Sequence, residues 1–93
     1  MFTKIHANGV ASSDGFVVEI TKVTELRYRE GQRLITVPLE LLMGECDFVV
    51  HMNHVKCWDA PFNNDAIEPE RLNDIRERVE DGLQFLGIRV RFG

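Results

Sequence analysis

Ninety-three residues, 44% of them apolar and 28% charged, suit a single domain (1–93) with one core; this excludes a disordered chain, and no apolar run approaches the ~18 residues of a membrane span. The net charge of −4 gathers in the middle: residues 40–70 hold seven acids and one base, a net of −6, while the segments on either side are each net +1. Such a field repels phosphate backbones and attracts basic proteins, and it also serves solubility.

Met1-Phe2-Thr3-Lys4-Ile5-His6 lacks the apolar stretch of an export signal, so we expect a cytoplasmic protein with Cys46 and Cys57 as free thiols. Residues 2–7 predict a strand ending at the Asn8-Gly9 turn. Asp14-Gly15 marks a second turn, since both residues tolerate positive φ. Residues 16–20 predict another strand. In residues 24–29, Leu26 and Tyr28 alternate with Arg27 and Arg29, the period of a sheet with one buried face. Glu30-Gly31 turns the chain into a strand over 33–37, which Pro38 ends or places at an edge. Leu39 to Met43 reads as one helical turn closed by Gly44. A β-rich stretch surrounds Phe48-Val49-Val50, a turn near Asn53 follows, and Val55 to Trp58 reads as a short strand. Residues 59–66 form a loop.

The clearest element is a helix opening at Pro69, a residue suited to the first helical position. Glu68 and Glu70 put negative charge at the positive end of its dipole. Leu72, Ile75, Val79, Leu83 and Leu86 fall within an arc of about 80° at 100° per residue, a core-facing stripe. Gly87 supplies the stop. Asp74 and Arg78 are spaced for an i,i+4 ion pair on the outer face, and Gly82 suggests a close approach to a strand. Alternation over 88–92 gives a final strand. The order predicts an α+β fold: a mainly antiparallel β-sheet with one long C-terminal amphipathic helix packed on one face, followed by that final strand.

His51, His54 and Cys57 are residue types that bind zinc, but their spacing opposes a site, because strand residues three apart point to opposite faces. His51, His54 and Lys56 are the kinds of group that could do acid–base work on a phosphodiester, but proximity in sequence supplies no geometry and the surrounding acids repel RNA. Ser12-Ser13-Asp14-Gly15 lacks the flanking glycines of a nucleophile elbow, and no glycine run forms a phosphate loop. Arg89 and Arg91 are too few for a nucleic-acid footprint. Neither a metal nor another cofactor is expected. Trp58 suits a core plug or an interface, the core being favoured. Phe85 lies off the apolar stripe, open to a partner or covering the sheet edge.

The run Leu26-Arg27-Tyr28-Arg29-Glu30-Gly31-Gln32-Arg33-Leu34 leads into Val37-Pro38-Leu39-Glu40-Leu41-Leu42. Trp58-Asp59-Ala60-Pro61, Ile67, Arg71, Ile75, Val79 and Leu83-Gln84-Phe85-Leu86-Gly87 follow. Together these resemble the small α+β immunity proteins of bacterial polymorphic-toxin and contact-dependent growth-inhibition systems. The resemblance implies a non-enzymatic protein that binds and blocks one cognate toxin domain, often a nuclease with a basic cleft. It carries over no residue roles. The charge count adds candidates for the toxin-facing surface: Glu40, Glu45, Asp47, Asp59, Asp65 and Glu68. On this reading the partner is protein, neither nucleic acid nor membrane, and the free chain is a monomer or weak homodimer. The alternatives are a small regulatory or self-associating domain, or a small enzyme or zinc protein built on His51, His54 and Cys57.

Overall fold

Apolar residues at every second position pair the first half of the chain into an antiparallel meander. The computed structural model describes residues 1–42, 44 and 47–93, with His54 described by its backbone alone. Five strands follow in turn: β1 (Phe2–His6), β2 (Gly9–Ser12), β3 (Phe16–Lys22), β4 (Glu25–Glu30) and β5 (Arg33–Leu41). β6 (Phe48–Val50) pairs antiparallel with β5. The chain then passes through a 3-10 turn at Met52–His54, a loop and helix α1 (Pro69–Phe85). It returns as β7 (Val90–Phe92), parallel to β6. The crossover through α1 is what a parallel neighbour requires. The sheet thus runs β1 to β7 in sequence order, with α1 over β2 and β3. This is the mainly antiparallel sheet with one C-terminal helix and a final strand that the sequence predicts.

The register lines up the inward side chains. Val10 faces Val18, Val18 faces Tyr28, Tyr28 faces Ile35, and Leu26 faces Val37. All are buried, as are Ile75, Val79 and Leu83 of the helix. Leu72 and Leu86, the ends of the predicted stripe, are half-buried and pack against this core. Full burial of such side chains is worth roughly 1.5–3 kcal/mol each relative to exposure, which makes this the main stabilising force. Trp58 is also buried, in agreement with the core role.

The helix begins and ends as its sequence directs. Pro69 stands at the first position, and the Leu72 N–H donates to the Glu68 carbonyl. At the other end Gly87 adopts φ +78°, its N–H bonds the Gln84 carbonyl, and the Ile88 N–H bonds the Leu83 carbonyl. These two bonds form a complete Schellman stop. Gly82 faces the sheet at close range: a β-carbon there would lie 3.1 Å from Val10 Cγ2 and 3.3 Å from Val18 Cβ.

Three expectations are corrected. Residues 39–41 are not helical but continue β5, because β6 supplies backbone partners to Leu39, Glu40 and Leu41 and Leu39 joins the core. Met43, the end of that expected turn, lies outside the described residues. Pro38 does not end the strand. It pairs with Glu25 on the last rung of the β4–β5 ladder, and its carbonyl accepts the His51 N–H just beyond the β5–β6 pairs, where a missing donor costs one bond. The Val55–Trp58 strand is absent: only Cys57 bridges, to Ala66. This stretch instead closes the loop on itself and on β5, through Ile67 N–H to the Lys56 carbonyl and Asp59 N–H to the Leu34 carbonyl.

Candidate functional site

The β4–β5 hairpin, the loop before α1 and the first turns of α1 meet around a groove of about 540 Å³ lined by Glu30, Arg33, Trp58, Ile67, Glu68 and Arg71. Arg33 binds the loop to the hairpin. Its guanidinium lies 4.5 Å from the Phe62 ring centre and 5.7 Å from that of Trp58, and Nη1 donates to Asp65 at 2.8 Å. Across the groove, Glu30 receives two arginines spaced seven residues apart on one helix face: Arg71 donates to both carboxylate oxygens, and Arg78 Nη1 lies 2.8 Å from Oε1. Arg78 also donates to the Tyr28 hydroxyl at 3.1 Å and lies over the Phe16 ring. It therefore turns to the sheet rather than to Asp74, because Glu30 and Tyr28 offer a more enclosed site than an exposed carboxylate does. Burial pushes the Tyr28 hydroxyl above its usual pKa of 10.0, against the hydrogen bond from Arg78, which pulls it down. Of the groove's charged side chains, Glu30, Arg71 and Arg33 are each engaged within the chain, Arg33 with Asp65, while Glu68 stands exposed at the rim.

The sequence-chosen acids divide between the two ends of β5. At the Arg33 end, Asp65 is held by Arg33, and half-buried Asp59 accepts the Thr36 hydroxyl at 2.6 Å. Glu68 is exposed beside them at the groove rim. At the far end, seven residues or about 23 Å of strand away, Glu40 lies 3.5 Å from His51 Nε2. Asp47 there accepts the Arg89 backbone N–H and faces its guanidinium at 3.9 Å. Glu45 lies outside the described residues. Four of the five described acids are thus engaged within the chain, and the five divide between two ends of β5.

Of the zinc-type residues, Cys57 is a free thiol at its isolated bridge and His51 stands by Glu40. Cys46 and the His54 side chain lie outside the described residues. Among the described residues no three His, Cys, Asp or Glu side chains are grouped to hold a metal ion, and no helix is long and apolar enough to cross a membrane.

Counting charge by segment concealed a second acidic feature. Glu70, Asp74, Glu77 and Asp81 recur at spacings of four, three and four, an arc of about 60° directly opposite the buried stripe. All four are exposed. The arginines of residues 71–93 cancel Asp74, Glu77 and Asp81 in a sum, yet Arg71 and Arg78 reach the sheet at Glu30. Next to this row, Phe85 is 53% exposed. Its ring lies 5.6 Å from that of Phe2 in the edge strand β1, so it is both open to solvent and a cover for that edge.

No curated protein and no solved structure matches the chain. One family model, described as Immunity protein 74, matches residues 17–93, from β3 through β7, which takes in the β4–β5 hairpin, the groove and the whole of α1. The chain therefore belongs to the Immunity protein 74 family.

Proposed function

We propose that this chain neutralises a cognate toxin domain by binding it, as a stoichiometric inhibitor and not as an enzyme. The observation that carries the reading is membership of an immunity-protein family over residues 17–93. The chain's own chemistry supports inhibition by contact: Glu30, Arg33 and Arg71 of the groove are engaged in ion pairs within the chain, and the chain carries net negative charge. Such a surface suits a basic partner, and a nuclease with a positively charged cleft is the toxin class that meets that condition. In this reading the protein acts in the cytoplasm, where it protects the cell that makes the toxin. Asp59, Asp65 and Glu68 stand beside the first turn of α1 and contribute to the contacting surface. Glu40, Glu45 and Asp47 add to the field that steers encounter.

The test is co-expression with the toxin domain encoded next to this chain. We expect a complex that survives size-exclusion chromatography and abolishes the toxin's activity at equimolar ratio. Failure to form a complex, with the toxin fully active in excess of this protein, rejects the reading.

A further inference from the structure

We infer that the toxin-facing surface is the outward face of α1, with Phe85 as its anchor and the row Glu70, Asp74, Glu77 and Asp81 as its charged flank; this rests on the toxin-neutralising reading above. The occupant is a toxin surface that offers an apolar socket bordered by lysine or arginine.

Phe85 is a large aromatic left half in water on an otherwise polar helix face. It is not loosely held. Its ring packs on Phe2 at 5.6 Å, Phe2 packs edge-on against Phe16 at 5.8 Å, and Phe16 packs on fully buried Tyr28 at 5.7 Å. An aromatic column therefore runs from the surface into the core, and Arg78 lies against it at Phe16. An anchor braced in this way loses little conformational freedom on binding, which is why rigid aromatics dominate interface energetics.

The charge beside the anchor is available in a way that the loop acids are not. Among the described residues, none of Glu70, Asp74, Glu77 and Asp81 is in an ion pair or side-chain hydrogen bond, whereas Asp47, Asp59 and Asp65 hold Arg89, Thr36 and Arg33. A carboxylate already facing an arginine projects a weakened field. Four unpaired ones in a row along about 16 Å of helix project a strong one. The opposite face of the sheet offers less: Arg27 is joined to Glu25 and Glu19 to His6, and among the described residues no large aromatic is exposed there.

The experiment measures association and dissociation rates of the toxin domain on the full chain at low and physiological salt. Three proteins are compared with wild type: Phe85→Ser; a triple variant, Asp74→Asn with Glu77→Gln and Asp81→Asn; and a control on the open sheet face, Arg27→Gln with Arg29→Gln. Loss of a central aromatic anchor should raise the off-rate by about 30-fold or more. The triple variant should slow association about 10-fold at low salt and flatten its salt dependence. The control should stay within about two-fold of wild type, as rim positions outside a contact do. The triple variant changes only exposed groups, so it remains informative even if Phe85→Ser disturbs the aromatic column. Wild-type rates in both helix-face variants, with wild type itself binding, would overturn this assignment alone. No binding by wild type would instead reject the toxin-neutralising reading.

Discussion

Arg78 on the helix and Glu30 at the end of β4 form an ion pair at 2.8 Å that ties α1 to the first turn of the β4–β5 hairpin. Glu30 also accepts from Arg71, and its side chain is only 20% exposed, against about a third for each arginine. The pair is thus neither a screened surface contact, worth roughly 0–1 kcal/mol, nor a fully buried one. Glu30→Ala leaves two arginines with unanswered charge and should cost about 1–2 kcal/mol in urea denaturation. A double-mutant cycle with Arg78→Ala should show coupling between the two positions. Zero coupling would mean that the pair does not hold the helix.

Tyr28 gives the protein an alkaline limit. Its hydroxyl titrates above 10.0 in the folded chain, chiefly because burial penalises the phenolate. Between 10.0 and the folded value, the unfolded chain has released the proton while the folded chain retains it. The stabilisation is therefore complete below pH 10.0 and is lost as pH rises through the folded value. Tyr28→Phe removes this titration. It also loses the hydroxyl's bond to Arg78, at a cost of about 1 kcal/mol near neutral pH. The stabilities of wild type and variant should converge above pH 10, and parallel curves would contradict the assignment.

Sequence pattern carried furthest where one element answers to one physical rule. The Leu72–Leu86 stripe, the proline start and the Gly87 stop each follow from local chemistry, and each appears in α1. Leu39 to Leu41 failed because their conformation depends on β6, a partner supplied only after Gly44. β2 carries no signal of its own in the sequence, since Gly9 to Ser12 is too short to show alternation. The acids behaved the same way: a segment sum registers Asp59 and Asp65 as free charge, but Thr36 and Arg33, more than 20 residues away in sequence, take them up. The helix row is legible from its spacing, but arginines beside it on α1 cancel Asp74, Glu77 and Asp81 in a segment sum.

Gly82 shows two opposed effects at one position. Alanine there gains about 1 kcal/mol of helix propensity. Its β-carbon must also fit 3.1 Å from Val10 Cγ2 and 3.3 Å from Val18 Cγ2. Both valines are fully buried and β-branched, so they have no free rotamer into which to retreat. Overpacking of about 1–3 kcal/mol should therefore win, leaving Gly82→Ala less stable by about 1 kcal/mol. A rise in melting temperature would show that the helix can shift away from β2 and β3.

The Arg33–Asp65 contact determines how the loop acids can be used as probes of toxin binding. Arg33 holds Asp65 in an exposed pair, worth at most about 1 kcal/mol. It also lies on Phe62 and Trp58, where stacking contributes roughly 0.5–1 kcal/mol more. Arg33→Ala should thus cost about 1–2 kcal/mol. Arg33→Lys should recover only part of this, since an ammonium lacks the planar face. Trp58 is the only tryptophan and is buried, so its emission should move to longer wavelength as the loop opens in mild urea, first in Arg33→Ala and later in Asp65→Asn. Asp65→Lys sets a second cation against Arg33 and should open the loop as well. Weakened toxin binding in that variant would then report on folding as much as on contact. Glu68→Gln leaves Arg33 in place and removes only a helix-terminal charge, worth about 0.3–1 kcal/mol. A slower association rate in Glu68→Gln, with Trp58 emission unchanged, would place the groove rim in the binding surface. An unchanged rate would remove the rim from it.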